Sequence, residues 1–308
     1  MAEQAISSWA RYPVAAFFFS LFLGILRFLP WCVFRPCGCG AIRFFYILSP
    51  KLRRNSMESL DIAFGSGMVI REKRRLAARS FFHLAEGIAW FIYAIEHPRL
   101  TEKFFVWEGK ELLDQVLMRG KGAVIAIAHL GPFVWMLQHF ANHGYKTNIV
   151  MRPPRSSFLK VRFLEACAQL RMNFIYSVPL RACVVDSFAA LARGELVFMP
   201  IDQNYGGNGR VFVDFFGRKA ATAPGVVGYG LKTGAPVMMA YCLPLGDGRF
   251  KIKIDPELAM VGEQDEKAAL VRNTAILTSR LETLIRQYPD QWSWMHRRWK
   301  AVPREGEV

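Results

Sequence analysis

A chain of 308 residues that is 52% hydrophobic and 14% aromatic can bury a sizeable core, as one large domain or two small ones, and still leave greasy surface over. Its 40 Lys and Arg against 25 Asp and Glu give a formal charge of +15, which suits nucleic acid, an anionic membrane, or an acidic protein or substrate. There is no RNP, helix-turn-helix or zinc-finger pattern, so no nucleic-acid partner is expected, and the apolar content favours a membrane.

Pro13–Phe34 is the one membrane-like segment, about long enough to span, although Arg27 and Pro30 interrupt it, which leaves a helix lying in the interface as an alternative. A cleaved signal peptide fits poorly, because no small-x-small site follows the apolar run. Arg35, Arg43, Lys51, Arg53 and Arg54 come next and place the bulk of the chain on the cytoplasmic side. Cys32, Cys37, Cys39, Cys167, Cys183 and Cys242 form no C-x-x-C pair and read as free thiols, with no metal site expected. Residues 1–48 are thus expected to be an anchor with an amphipathic continuation, and 49–308 the main domain.

Ser49–Arg54 reads as a basic turn and Asn55–His97 as helices, with Leu76, Phe81, Ala85, Ile88, Ala89 and Ile92 on one stripe. Strands are predicted at Ala123–Ala128, Thr147–Met151, Phe174–Val178 and Glu195–Asp202. Helices are predicted at Phe133–His143, Ser157–Arg171 and Val184–Arg193. A Gly-rich loop follows, then a helix near Pro224–Lys232, a hairpin of Pro236–Leu243 with Phe250–Ile254, the long helix Glu266–Gln287, and a basic-aromatic tail, Trp292–Arg304. Continuous apolar strands alternating with helices predict an α/β fold, a largely parallel central sheet flanked by helices.

The most informative stretch is Lys121–Met136. Its apolar strand ends in His129, Gly131 and Pro132 break the pattern, and a helix begins at Phe133. A histidine at the carboxyl end of a buried strand is placed to act as a general base, while the ordinary alternative is a capping or core histidine. Arg152 directly follows a strand, so it emerges at the same sheet edge and can clamp phosphate or carboxylate; a surface Arg on a Pro-fixed turn is equally open. Asp202 and Gln203 close another strand. Phe212, Phe215 and Phe216 beyond them offer an apolar wall for a lipid chain, or simply core aromatics. The glycines there match neither a dinucleotide fingerprint nor a P-loop. In the tail, WSWMHRRWK interleaves aromatics with cations, which suits a headgroup belt or a segment folded back on the domain.

With these residues in hand, the chain resembles the late lipid A acyltransferases, of the lysophospholipid acyltransferase-like superfamily. RRNSMESLDIAFG, the His129 block, MRPP, DQNYGGNGRVFVDFFGRKAATAPG and QYPDQWSWMHRRWK occur in the family's order. The resemblance implies a glycerol-phosphate-acyltransferase-like fold at the bacterial inner membrane, with no cofactor. It implies transfer of an acyl chain from acyl carrier protein or CoA to a hydroxyl of a lipid A-type glycolipid or a lysolipid. Mapped onto this chain, His129 is the base and Arg152, Asp202 and Gln203 are the supporting positions lining the site; Gly131 fits the pattern, and the Phe215 and Phe216 wall read above would join Arg152, Gln203 and Gly131 in contacting substrate. The family keeps a carboxylate five positions after the histidine, and here Val134 stands there. Three readings follow: Asp202 serves instead, His129 acts alone, or the chain has lost catalysis and retains lipid binding or scaffolding.

Overall fold

The structure is a computed structural model and describes residues 28–97, 102–153, 172–263 and 265–304. The predicted helix at 157–171 and most of the predicted anchor lie outside the described residues. Among those described, no helix is long and apolar enough to cross a membrane.

Three helices open the described chain: α1 (Trp31–Leu48), α2 (Pro50–Phe64) and α3 (Ile70–Glu96). The expected basic turn at Ser49–Arg54 is instead a single break at Ser49. Pro50 starts α2, since a first-turn N–H has no helical partner and proline lacks one to lose. Strand β1 (Phe105–Glu108) and helix α4 (Lys110–Leu117) follow. They were not predicted, because FVWE is too short to show a period.

The alternating part runs β2 (Ala123–Ile127), α5 (Phe133–Asn142), β3 (Thr147–Met151), β4 (Met172–Tyr176), α6 (Leu180–Ala192) and β5 (Leu196–Pro200). A small hairpin, β6 (Val211–Phe215) and β7 (Arg218–Thr222), is embedded in the expected Gly-rich loop. Its two-residue turn needs positive φ at both positions. Gly217 takes +71° freely, whereas Phe216 takes +54° only because its surroundings hold it there. The Phe216 N–H donates to Glu282 Oε2 at 2.5 Å. Then come α7 (Gly225–Thr233), β8 (Val237–Pro244), β9 (Phe250–Ile254) and α8 (Glu266–Gln287).

The strands form one seven-stranded sheet in the order β1-β9-β8-β2-β5-β3-β4. It is parallel from β8 to β4. The predicted β8–β9 hairpin reverses direction, and β1 runs with β9. Alternate side chains of the central strands enter two cores. Val124, Ala126, Val197 and Met199 face α6, α7, α8 and the C-terminal segment. Ala123, Ile125, Leu196 and Phe198 face α3, α4 and α5. Because both faces are covered, β2 is buried at all five positions, which explains its unbroken apolar run.

Candidate active site

The register of two strands makes the site. In parallel β2 and β5, Ile127 pairs with Pro200, and the Ile201 N–H donates to the Ile127 carbonyl at 3.0 Å. Two residues beyond each member of that pair stand His129 and Asp202. His129 Nδ1 lies 2.9 Å from Asp202 Oδ1, and the His129 backbone N–H donates to Asp202 Oδ2 at 2.8 Å. The Trp292 indole N–H donates to the same Oδ2 at 2.9 Å. The carboxylate is therefore fully buried and fully engaged. Burial opposes its ionisation, but the attraction and hydrogen bonds of His129 outweigh that and hold it well below the usual carboxylate range. The same contact read from the other side raises His129 above its ordinary 6.5, against a burial that would lower it.

A carboxylate on Nδ1 keeps the proton of a neutral imidazole there and leaves Nε2 as the acceptor. That nitrogen is 3.2 Å from Gln203 Nε2, whose exposed amide donates to it. The His129 side chain keeps 19% exposure, so its outer edge is reachable. Beneath this, the fully buried Arg298 bonds the carbonyls of Gln203 (3.2 Å) and Ala221 (2.6 Å) and the Thr222 hydroxyl (2.5 Å). Burial brings its pKa down to about 10, so it stays charged at neutral pH and locks the Asp202–Gln203 turn to β7.

The residues singled out by sequence do not all meet in space. His129, Asp202 and Gln203 are brought together. Arg152 is exposed at the same carboxyl edge, but β5 lies between its strand and that of His129. Gly131 has a structural reason to be glycine: its φ is +59°, and a Cβ there would sit 2.2 Å from the Cys242 carbonyl oxygen. Its N–H donates to the Gln291 carbonyl at 2.8 Å, so it is not available to a ligand. Phe215 and Phe216, expected to line a lipid groove, are instead core residues packed on Trp292, Trp294 and Trp299. Val134 is half-buried in the apolar core on the α5 side, a packing position with no polar task.

The tail is not a headgroup belt. Trp292, Trp294, Arg298 and Trp299 are buried, and the segment is stitched to the turn after β2 by a Leu130–Trp292 bridge and a bond from the Ser293 N–H to the His129 carbonyl at 3.0 Å. Sequence reasoning therefore missed Trp292 and Arg298. The one signal was the WSWMHRRWK run itself, whose density of aromatics fits a core as well as a bilayer surface. A cavity of about 360 Å³ opens beside the turn, walled by Trp31, Trp90, Phe104 and Phe250 and touching Pro132 and Gln291. Among the described residues, no group of three or more His, Cys, Asp or Glu is disposed to hold a metal.

A strand-end imidazole, oriented by a buried carboxylate and presenting its other nitrogen at an accessible edge, defines an α/β protein equipped for acid–base activation of a nucleophile. The sequence pattern described as bacterial lipid A biosynthesis acyltransferase matches residues 4–301, and the chain belongs to that family: it is an acyltransferase. It is 26% identical over 287 residues to a lipid A biosynthesis lauroyltransferase of Escherichia coli, covering 89% of this chain and 88% of that protein. To a lipid A biosynthesis palmitoleoyltransferase of the same species it is 26% identical over 267 residues, 82% and 80% of the two chains. A phosphatidylinositol mannoside acyltransferase of Mycobacterium tuberculosis is 26% identical over 216 residues, 67% and 64% of the two chains.

Proposed function

We propose that this protein moves a fatty acyl chain from the thioester of acyl carrier protein or CoA to a hydroxyl of a lipid A-type glycolipid, at the cytoplasmic face of a bacterial inner membrane, with His129 as general base. The observation that carries the reading is Asp202 on His129 Nδ1. The acceptor hydroxyl displaces the Gln203 amide and gives its proton to Nε2 while its oxygen attacks the thioester carbonyl. A C–O bond forms, the carbonyl π pair moves onto oxygen, and its return expels the thiolate, which takes the proton back from the imidazolium. Asp202 fixes the tautomer and stabilises that imidazolium.

The relatives' acceptors support the acceptor class: two are named for lipid A and one for a phosphatidylinositol mannoside, and all of these are glycolipids. The cavity beside Pro132 has aromatic walls that suit an acyl chain, with Arg35, His83, Glu86 and Arg249 also lining it, and Arg152 at the shared edge suits a phosphate of either substrate. Membrane contact falls to the outer side of α1, where Phe44, Phe45, Ile47 and Leu48 are largely exposed among basic residues. The reading of a lipid-binding relic rested on Val134, and a carboxylate from another strand removes its motive.

The test is thiol release from an acyl-CoA in the presence of a lipid A precursor. The unaltered protein is expected to release thiol and acylate the acceptor, and His129→Ala to lose both. Equal release by the two proteins would sink His129 as base.

A further inference from the structure

A second imidazole lies against the first, and the reaction above does not use it. His296 belongs to the C-terminal segment, and its backbone is fixed. Its carbonyl accepts from the Arg298 N–H at 2.9 Å and from the Ser59 hydroxyl at 3.2 Å. Its ring meets the His129 ring edge-on, with centroids 4.7 Å apart and planes at 65°. Its Nε2 is buried and has no hydrogen-bond partner among the described residues. An unpaired buried polar group costs about 1–3 kcal/mol, and native structures keep few of them without a use.

The acyl transfer needs a donor for the negative charge that builds on the thioester carbonyl oxygen. The catalytic turn cannot readily supply it. The N–H groups of His129, Leu130 and Gly131 are bonded to Asp202 Oδ2, the Ala128 carbonyl and the Gln291 carbonyl, and Pro132 has none. That leaves side chains and the first turn of α5. A neutral imidazole is suited to the task, since it donates without adding a second positive charge beside the imidazolium. Burial and the neighbouring His129 push the His296 pKa down to about 4, with Asp202 pulling the other way and the Arg298 guanidinium two residues along the chain.

Resting on the acyl-transfer reading, we propose that His296 donates its Nε2–H to the carbonyl oxygen of the acyl thioester as that oxygen becomes an oxyanion. Gln203 caps the approach to His129 Nε2. A hydroxyl that takes the place of its amide on His129 brings the thioester carbonyl into reach of both rings.

The experiment compares full-length protein with His296→Gln and His296→Phe, using acyl-CoA and a lipid A precursor, and measures kcat, KM, the pH profile and thermal unfolding. His296→Phe is expected to lose on the order of a hundred- to a thousand-fold in kcat with KM little changed. His296→Gln keeps an N–H donor and should recover at least about tenfold of that, and neither variant should move the acid limb set by His129. A glutamine variant as poor as the phenylalanine one, an effect confined to KM, or loss of the acid limb would overturn the role. If the unaltered protein works, His129→Ala does not, and both His296 variants keep full kcat, the oxyanion role alone fails. If the unaltered protein releases no thiol, the acyl-transfer reading fails and takes this role with it. Should His296→Phe not fold, the ¹⁵N shift of His296 Nε2 in the unaltered protein decides, on binding a non-reactive acyl-CoA thioether. A changed shift supports the bond, and an unchanged shift with the thioether bound overturns it.

Discussion

At the scale of single residues, the Asp202 carboxylate takes three hydrogen bonds, two from His129 and one from Trp292. Asp202→Asn keeps the shape but removes the charge and the tautomer control, so kcat should fall by about ten-thousand-fold, as when a triad carboxylate is lost. The pH profile carries the sign. With Asp202 present, His129 is raised above 6.5, so with His129 as the proposed base activity should rise with pH through a limb above that value. Without it, burial alone acts and the limb of the residual activity moves below 6.5. Stability follows the same pair. The depressed Asp202 contributes above about pH 3.9 and loses that contribution as pH falls further, while the raised His129 contributes fully below about 6.5 and loses it as pH rises through its folded value. The pair's stabilisation is therefore full between those limits, and a denaturation series of Asp202→Asn should lack that plateau. Trp292→Phe deletes one donor to a buried anion, a bond worth about 1.5–3 kcal/mol. The Asp202 carboxyl should then be easier to protonate, with a Tm loss and roughly a tenfold fall in kcat. His129 and Asp202 were legible because each ends a readable strand. Trp292 was not, since nothing local to residue 292 points to residue 202.

At the scale of elements, helix α3 bears on the turn after His129 through Gly87. A Cβ there would stand 2.8 Å from the Pro132 Cα, which is backbone and cannot yield as a side chain can. Alanine in a helix is normally worth about 1 kcal/mol over glycine, and here the clash reverses the sign. Gly87→Ala should lower both Tm and kcat, because α3 and the turn carrying His129 must separate. A variant that raised Tm without touching kcat would contradict this packing. The main strands and the long helices, Glu266–Gln287 among them, could be read because burial on both sheet faces or on one helical stripe writes a period into the residues. The hairpin β6–β7 could not. Its turn uses Phe216 at positive φ, held by Glu282 and by the Arg286 guanidinium 4.4 Å over its ring, and both partners come from a distant helix.

At the scale of the whole molecule, charge and exposed apolar surface meet on α1. Its inner side is docked, with Trp31 stacked on Trp90 at 3.5 Å between centroids and Phe34 and Cys39 buried, while Phe44 and Phe45 face outward. The double substitution Phe44→Ser with Phe45→Ser should weaken co-sedimentation with anionic phospholipid vesicles and leave thiol release from soluble acyl-CoA intact. Unchanged sedimentation would move the contact to another surface. By itself the sequence determined the α/β class, the strand ends that carry His129, Arg152, Asp202 and Gln203, and the absence of an acid at Val134, because all of these are local: period, punctuation and residue type. Only the tertiary structure decided that Asp202 reaches His129, that the C-terminal segment lies under the site, and that Phe215 and Phe216 are core. Those outcomes depend on strand order and register, which are set by how two faces of one sheet are jointly buried and which leave no mark on any single stretch of chain.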